Sequence, residues 1–344
     1  KCPNLLVVPP RHDIYRDFSH RLIEYLKSLT DTVEQFSIDE AFADMTGSEL
    51  LQKYSAVEAA NFIRTEVEKR FGFTVNIGVS SCKILAKMAS DFEKPDKVHT
   101  LFPEEIPVKM WPLPVRDLLF LGKSSEKKLK EAGIRTIGDL AHEKKPKIQA
   151  LLGEKAGQQL YRYARGLDDS PVKMKPDEAK GFSLETTFND DIVSVEQVLP
   201  ILLEQCDVVA TRMRRKEKKC TSVSVTFRTL DFRNKSHQTT LPNATDMTDE
   251  IYKNAKKLFI ESWKGDPLRL IGVALTNLTD ESFEQMSLFE DNEQKERHRK
   301  LDATMDAIRQ KFGNDKITRA SIMNSNTGIA RKARAQMKNE DEKK

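Results

Sequence analysis

Phe36-Ser37-Ile38-Asp39-Glu40-Ala41-Phe42 sets two adjacent carboxylates among apolar residues that alternate as they do in a buried strand hairpin. An unpaired buried carboxylate is costly, so the pair asks for a partner: a bound metal, or basic side chains or backbone amides that satisfy it. At an exposed turn the same pair would need neither. The stretch by itself leaves these readings open.

Working outward, Leu5-Leu6-Val7-Val8 reads as a short strand stopped by Pro9-Pro10, with a helix over 13–29 and a hairpin over 33–45. Ala60, Ile63, Val67 and Phe71 then share one helix face that Gly72 ends, residues 73–79 alternate as a strand, and Ser80-Ser81 can cap a third helix that stops before Pro95. Helices on one face of an antiparallel sheet give an α+β unit over 1–102. Short helices and turns follow over 103–166, and a charged stretch over 167–180, with Pro171 and Pro176, reads as a linker. A second α+β unit spans 181–283, with strands over 222–227 and 270–275 and helices over 194–215 and 250–263. The polar remainder, 284–344, carries one helix on which Leu301, Met305, Ile308 and Phe312 share a face.

A chain of 344 residues, 38% hydrophobic and 32% charged, has room for two or three well-solvated domains. No apolar run approaches the roughly 20 residues of a membrane span, and Lys1-Cys2-Pro3-Asn4 opens no signal peptide. The start lacks Met and enters an apolar run at once, which leads us to expect a truncated chain. A net charge of +4 is too small to argue for nucleic acid from the total, so local clusters must carry that case. Cys2, Cys82, Cys206 and Cys220 form no Cys-x-x-Cys pair, which speaks against a zinc site or a disulfide scaffold and for a reducing cytoplasm. A monomer with no membrane contact is expected.

Three ordered motifs, Ser37-Ile38-Asp39-Glu40-Ala41-Phe42, then Val75-Asn76-Ile77-Gly78-Val79-Ser80-Ser81-Cys82-Lys83-Ile84-Leu85-Ala86-Lys87-Met88-Ala89-Ser90, then Lys94-Pro95, together resemble the palm of Y-family translesion DNA polymerases of the DNA polymerase IV-like branch. The resemblance runs over nearly the whole chain. It implies an α+β fold: an incomplete ferredoxin-like palm, a small helical thumb with a helix-hairpin-helix, an α+β little finger and a flexible tail. It further implies error-prone transfer of a nucleotide from dNTP to a primer 3′-hydroxyl on primer–template DNA, by two Mg²⁺ ions held on hard oxygen donors.

By that resemblance Asp39 would bridge both metals and Glu40 would hold the one at the primer terminus, with Phe36 and Ser37 in support. Lys94 resembles the lysine that reaches the triphosphate. Lys83 and Lys87, at i and i+4, share a helix face that is either solvated or near a DNA phosphate. The family also places a further metal-binding aspartate and an aromatic steric gate on a strand and loop upstream of these motifs. Asp13 and Asp17 are poor substitutes for it, so little polymerase activity is expected from this chain alone.

Downstream, Leu119 to Leu129 resembles the helix-hairpin-helix, with Phe120-Leu121-Gly122 in place of Gly-x-Gly; Gly122, Lys123 and Ser124 would offer amides and hydroxyls to a phosphate, unless the hairpin is only structural. Arg212-Met213-Arg214-Arg215-Lys216-Glu217-Lys218-Lys219 gathers six basic residues around one acid. Such a run is usually a solvated face. Here it resembles the little finger that tracks DNA backbone, with Arg212, Arg214 and Arg215 as the phosphate contacts. Gln285-Met286-Ser287-Leu288-Phe289 is similar to the peptide by which bacterial polymerases bind the sliding clamp, Gln285 being the polar determinant and Leu288 and Phe289 the hydrophobic anchors. Nucleotide cyclases share a two-metal palm but not these downstream modules. A non-catalytic, clamp-tethered DNA-binding protein is the other alternative.

Overall fold

A computed structural model describes residues 2–175, 177–280, 292–313 and 316–322, which fall into two compact units, Lys1–Asp177 and Glu178–Lys344. Among the described residues, no helix is long and apolar enough to cross a membrane.

In the first unit, helix α1 (His12–Lys27) precedes an antiparallel hairpin of β1 (Thr32–Gln35) and β2 (Ala41–Asp44), in which Val33 faces Ala43 and Gln35 faces Ala41. After α2 (Glu49–Lys53), α3 (Ala56–Phe71) begins with a reciprocal cap between Ser55 and Glu58 and ends at Gly72, whose φ of 74° is the left-handed stop that glycine takes most readily. Strand β3 (Ile77–Val79), helix α4 (Lys83–Ser90) and strand β4 (Val98–Thr100) follow, and β3 and β4 run parallel. The antiparallel sheet expected for this region is therefore confined to the β1–β2 hairpin. The strand expected over 73–79 narrows to its last three residues, and Cys82 rather than a serine stands at the start of α4. No ladder forms over Leu5–Val8, whose side chains are 67–83% exposed.

Gly78 fixes how α4 lies on β3. A Cβ at this position would sit 1.8 Å from the Ala86 carbonyl oxygen, a backbone atom that cannot swing aside. The apolar face of α4, Ile84, Leu85 and Met88, then enters one core with Leu101, Ile106, Met110, Leu129, Ile137 and Leu140. The last three come from the short helices of the thumb, α5 (Lys123–Glu131), α6 (Ile137–His142), α7 (Lys145–Leu152) and α8 (Glu154–Tyr163). Palm helix and thumb thus share a hydrophobic interior. The expected linker is docked over its first half: the Ile84 amide donates to Asp168, and the Lys173 amide donates to Glu34 at 2.7 Å.

The second unit is a four-stranded antiparallel sheet of β5 (Gly181–Ile192), β6 (Lys219–Thr229), β7 (Asn234–Thr245) and β8 (Leu268–Thr279) in the order β5-β8-β6-β7, with α9 (Val195–Arg214) between β5 and β6 and α10 (Thr248–Ser262) between β7 and β8. Val223, Val225 and Phe227 point into a core with Val198, Leu202, Cys206 and Phe259, while the alternate residues Ser224, Thr226 and Arg228 lie on the other face, as the twofold period of a strand requires. Burial holds both thiols of this core, Cys206 and Cys220, well above the usual range, Cys220 at about 12.

Helix α11 (Asn292–Phe312) packs on α9, but not by the apolar face its sequence suggests. Met305 is buried, whereas Leu301 and Phe312 are exposed. The buried stripe is instead Asp302, Met305, Asp306 and Arg309, which follows the i, i+3, i+4, i+7 spacing one residue out of step.

Candidate active site and nucleic-acid interface

The loop joining β1 to β2 carries Asp39 and Glu40. Phe36 and Ser37 both donate their amides to the Glu40 carbonyl, at 2.9 and 3.1 Å, which closes the loop. The Ser37 hydroxyl bonds Asp39 Oδ1 at 2.6 Å. Phe36 and Ile38 are 39% and 46% exposed and Asp39 faces solvent, so the buried hairpin read from the alternation is in fact an open turn at its tip. Desolvation therefore does not by itself demand a cation here. What the turn provides is access.

A groove of about 1000 Å³ runs past this turn and is lined by Asp39, Glu40, Lys83, Lys87, Asp91 and Lys94, among others. A ladder of alternating charge crosses it. Lys87 Nζ bonds Glu40 Oε1 at 2.8 Å and Asp91 Oδ2 at 2.6 Å, and Asp91 Oδ1 takes Lys94 Nζ at 2.7 Å. Burial acts to lower the Lys87 pKa, but hydrogen bonds and charge from Asp91 and Glu40 outweigh it and hold the ammonium above its ordinary value. Burial likewise acts to raise the Asp91 carboxyl, and Lys87 and Lys94 overcome it and hold the group below its usual range. Lys83 is turned to Glu34 at 2.7 Å and lies 5.0 Å from the centre of the Phe42 ring.

The structure thus brings Asp39, Glu40 and Lys94 to one groove. Asp91, which organises the ladder, belongs to none of the sequence motifs. Its only sequence signal was the i, i+4 spacing from Lys87.

Neither Asp39 Oδ2 nor Glu40 Oε2 accepts a hydrogen bond among the described residues, which leaves two hard oxygens, the donor type Mg²⁺ takes, without a protein donor. No group of three or more His, Cys, Asp and Glu able to enclose a metal occurs among the described residues. Asp13 and Asp17, on α1, pair with Arg11 just before that helix and with Arg21 on it, and do not line the groove.

In the thumb, Gly122 caps α5, and Gly122, Lys123 and Ser124 are all exposed at its first turn. Phe120 occupies the place of the lost glycine with φ 67°, so the turn keeps its left-handed geometry with a bulky side chain in it. In the second unit, Arg212 and Arg215 are half-buried near the end of α9. Arg214, between them, is engaged by other parts of the same unit. Its guanidinium bonds Asp306 Oδ2 at 2.6 Å, the Asp246 carbonyl at 2.7 Å and Asp302 Oδ2 at 3.4 Å, so two carboxylates of α11 and a backbone carbonyl just past β7 hold it within the fold. Gln285, Leu288 and Phe289 lie outside the described residues.

The geometry can be set beside known proteins. Residues 1–91 match the model of the impB/mucB/samB family, residues 179–288 that of the impB/mucB/samB family C-terminal domain, and residues 116–168 that of the DNA polymerase-iota thumb domain. A DNA polymerase IV of Clostridium acetobutylicum is 43% identical over 94% of this chain and 81% of the relative, and DNA polymerase IV 1 of Bacillus subtilis is 33% identical over 94% and 78%. Among solved structures, a Y-family DNA polymerase chimera superposes with a TM-score of 0.70 at 24% identity, covering 81% of this chain and 80% of that one. A Dbh ternary complex gives 0.52 at 25% identity, covering 80% and 81%.

Proposed function

Because the chain belongs to the Y family of DNA polymerases, in its DNA polymerase IV-like branch, we propose that its template-directed synthesis past lesions is centred on the Asp39–Glu40 turn, with Lys94 serving the nucleotide. The observation that carries this reading is the groove that gathers all three side chains beside Lys87 and Asp91. Primer–template DNA and dNTP are the proposed partners, in keeping with relatives solved as ternary complexes.

Two Mg²⁺ ions would be held in part by Asp39 and Glu40 and would supply activation of the primer hydroxyl and charge neutralisation on the triphosphate. Glu40 shares an oxygen with Lys87, so it can meet a cation through Oε2 without losing the ion pair that orients it. Lys94, on the opposite side of Asp91, is exposed enough to leave that carboxylate for a phosphate. With Asp13 and Asp17 turned away, the described residues bring only part of the expected carboxylate set to the turn. Primer extension by the parent beside Asp39→Asn and Glu40→Gln is the test, and undiminished extension by both variants would refute the reading.

The exposed first turn of α5 and the Arg212–Arg215 end of α9 are proposed to hold the DNA backbone without reading sequence. Recruitment by a sliding clamp through Gln285, Leu288 and Phe289 is proposed on the motif alone. A clamp pull-down with Leu288→Ala and Phe289→Ala decides it, since undiminished capture would remove the motif's role.

A further inference from the structure

Phe120 adopts φ 67°, a region that costs a bulky L-residue free energy and that glycine enters freely. Burial does not compensate, because the side chain is 58% exposed. Its ring is instead placed between two others, with its centroid 6.3 Å from that of Phe36 in an edge-to-face arrangement and 6.1 Å from that of Tyr163 at the end of α8. Phe36 in turn meets Phe42 edge-to-face at 5.4 Å. Phe36 and Phe42 are the residues on either side of the Ser37–Ala41 turn, and the Phe36 amide closes that turn on the Glu40 carbonyl. A row of four rings therefore runs from the carboxylate turn of the palm to α8 of the thumb, and the strained residue supplies the link between them.

We propose that Phe120 is a positioning residue: it reaches from the thumb hairpin to brace Phe36 and so holds the Asp39–Glu40 turn in the geometry its chemistry needs. The role assigned to that turn rests on the polymerase reading, but the bracing does not. The turn lies at the tip of a two-stranded hairpin and is exposed; its backbone is closed by short-range hydrogen bonds, and the Lys87–Glu40 ion pair holds the Glu40 side chain without packing on the Phe36 end, where the ring of Phe120 does. Leu118, two residues before Phe120, is buried in the shared core and anchors the other end of the brace.

The test is amide hydrogen exchange on the full chain without DNA or nucleotide, comparing Phe120→Gly, Phe120→Tyr and the parent. Glycine relieves the backbone and removes the ring. Exchange at the Phe36 and Ser37 amides should quicken about five- to tenfold, the size expected from losing one aromatic pair, while the thermal midpoint does not fall. Phe120→Tyr, which keeps the ring, should restore the parent protection. Unchanged exchange at Phe36 and Ser37 in Phe120→Gly would overturn the proposal, and so would a loss of protection that spreads over the whole first unit or that Tyr fails to restore. Because no substrate is present, failure here leaves the polymerase reading standing, and failure of primer extension leaves this one standing.

Discussion

Arg309 and Asp207, separated by 102 residues in sequence, meet in an ion pair with Nη2 2.6 Å from Oδ2, and their side chains are 2% and 1% exposed. Around them Arg214 reaches Asp302 and Asp306, and Arg319 reaches Asp249 and Asp302. Burial pushes the Asp302 carboxyl above its usual range even with these arginines opposing it. The network welds α11 to α9. Removing Arg309 takes away the 2.6 Å partner of Asp207 and leaves the longer 3.6 Å contact with Arg319, so Arg309→Leu should destabilise the second unit by up to about 3–5 kcal/mol, with part recovered in the Arg309→Leu, Asp207→Leu double variant. Urea unfolding measures it. A loss under about 1 kcal/mol would mean the pair is not buried in solution.

The same network separates two arginines that the sequence places side by side. Arg214→Glu should act through folding, lowering the unfolding midpoint because it sets a carboxylate against Asp302 and Asp306. Arg215→Glu should weaken duplex binding, flattening the log–log salt slope by about 0.9 for each DNA phosphate the protein no longer neutralises. Equal effects of the two on the salt slope would return Arg214 to the DNA-facing set.

Gly78→Ala should lower stability of the first unit by about 1–3 kcal/mol, the usual cost of overpacking, because the new methyl meets the Ala86 carbonyl and the Ser90 amide of α4. Since α4 carries Lys83 and Lys87, the loss should come with disturbed charge pairing at the groove. A neutral result by thermal unfolding would show that α4 can shift away from β3 at little cost.

Asp91 gives the palm an acid-sensitive element. Its folded pKa is depressed, so its contribution is complete above the unfolded value near 4 and is lost as pH falls through the lower, folded value. Lys87 behaves oppositely: its raised pKa stabilises the fold at all pH below its ordinary value near 10.5 and loses that contribution only as pH rises through the higher, folded one. Asp91→Asn should therefore flatten the decline in melting temperature below about pH 4 relative to the parent. Parallel acid limbs would show that Asp91 is not paired in solution.

The parts of this molecule legible in its sequence are those governed by apolar periodicity. Ala60, Ile63 and Val67 are buried on α3 as their spacing indicates, and Val223 and Val225 enter the core from alternate positions of a strand. Pattern reading failed where charge makes the contact. The dock of α11 is built from Asp302, Asp306 and Arg309, residues that look solvated in any hydrophobic pattern, and the partner that gives Arg214 its place lies far downstream. It failed again at Phe36 and Ile38, whose alternation suggested burial although they cap an exposed turn. At the site, the adjacent carboxylates and Lys94 were recognisable as motifs. Asp91 was not, because its role depends on β3 and α4 bringing Lys87 against the tip of a separate hairpin.

Single-nucleotide incorporation on a primer–template under single-turnover conditions tests the central claim most directly, with Asp39→Asn and Glu40→Gln each compared with the parent. Each variant should lose at least about a thousandfold in rate, the scale on which enzymes depend on pre-placed charge at the reacting centre, while binding primer–template within about twofold of the parent. Incorporation that survives both substitutions would place the reaction centre elsewhere and contradict the account.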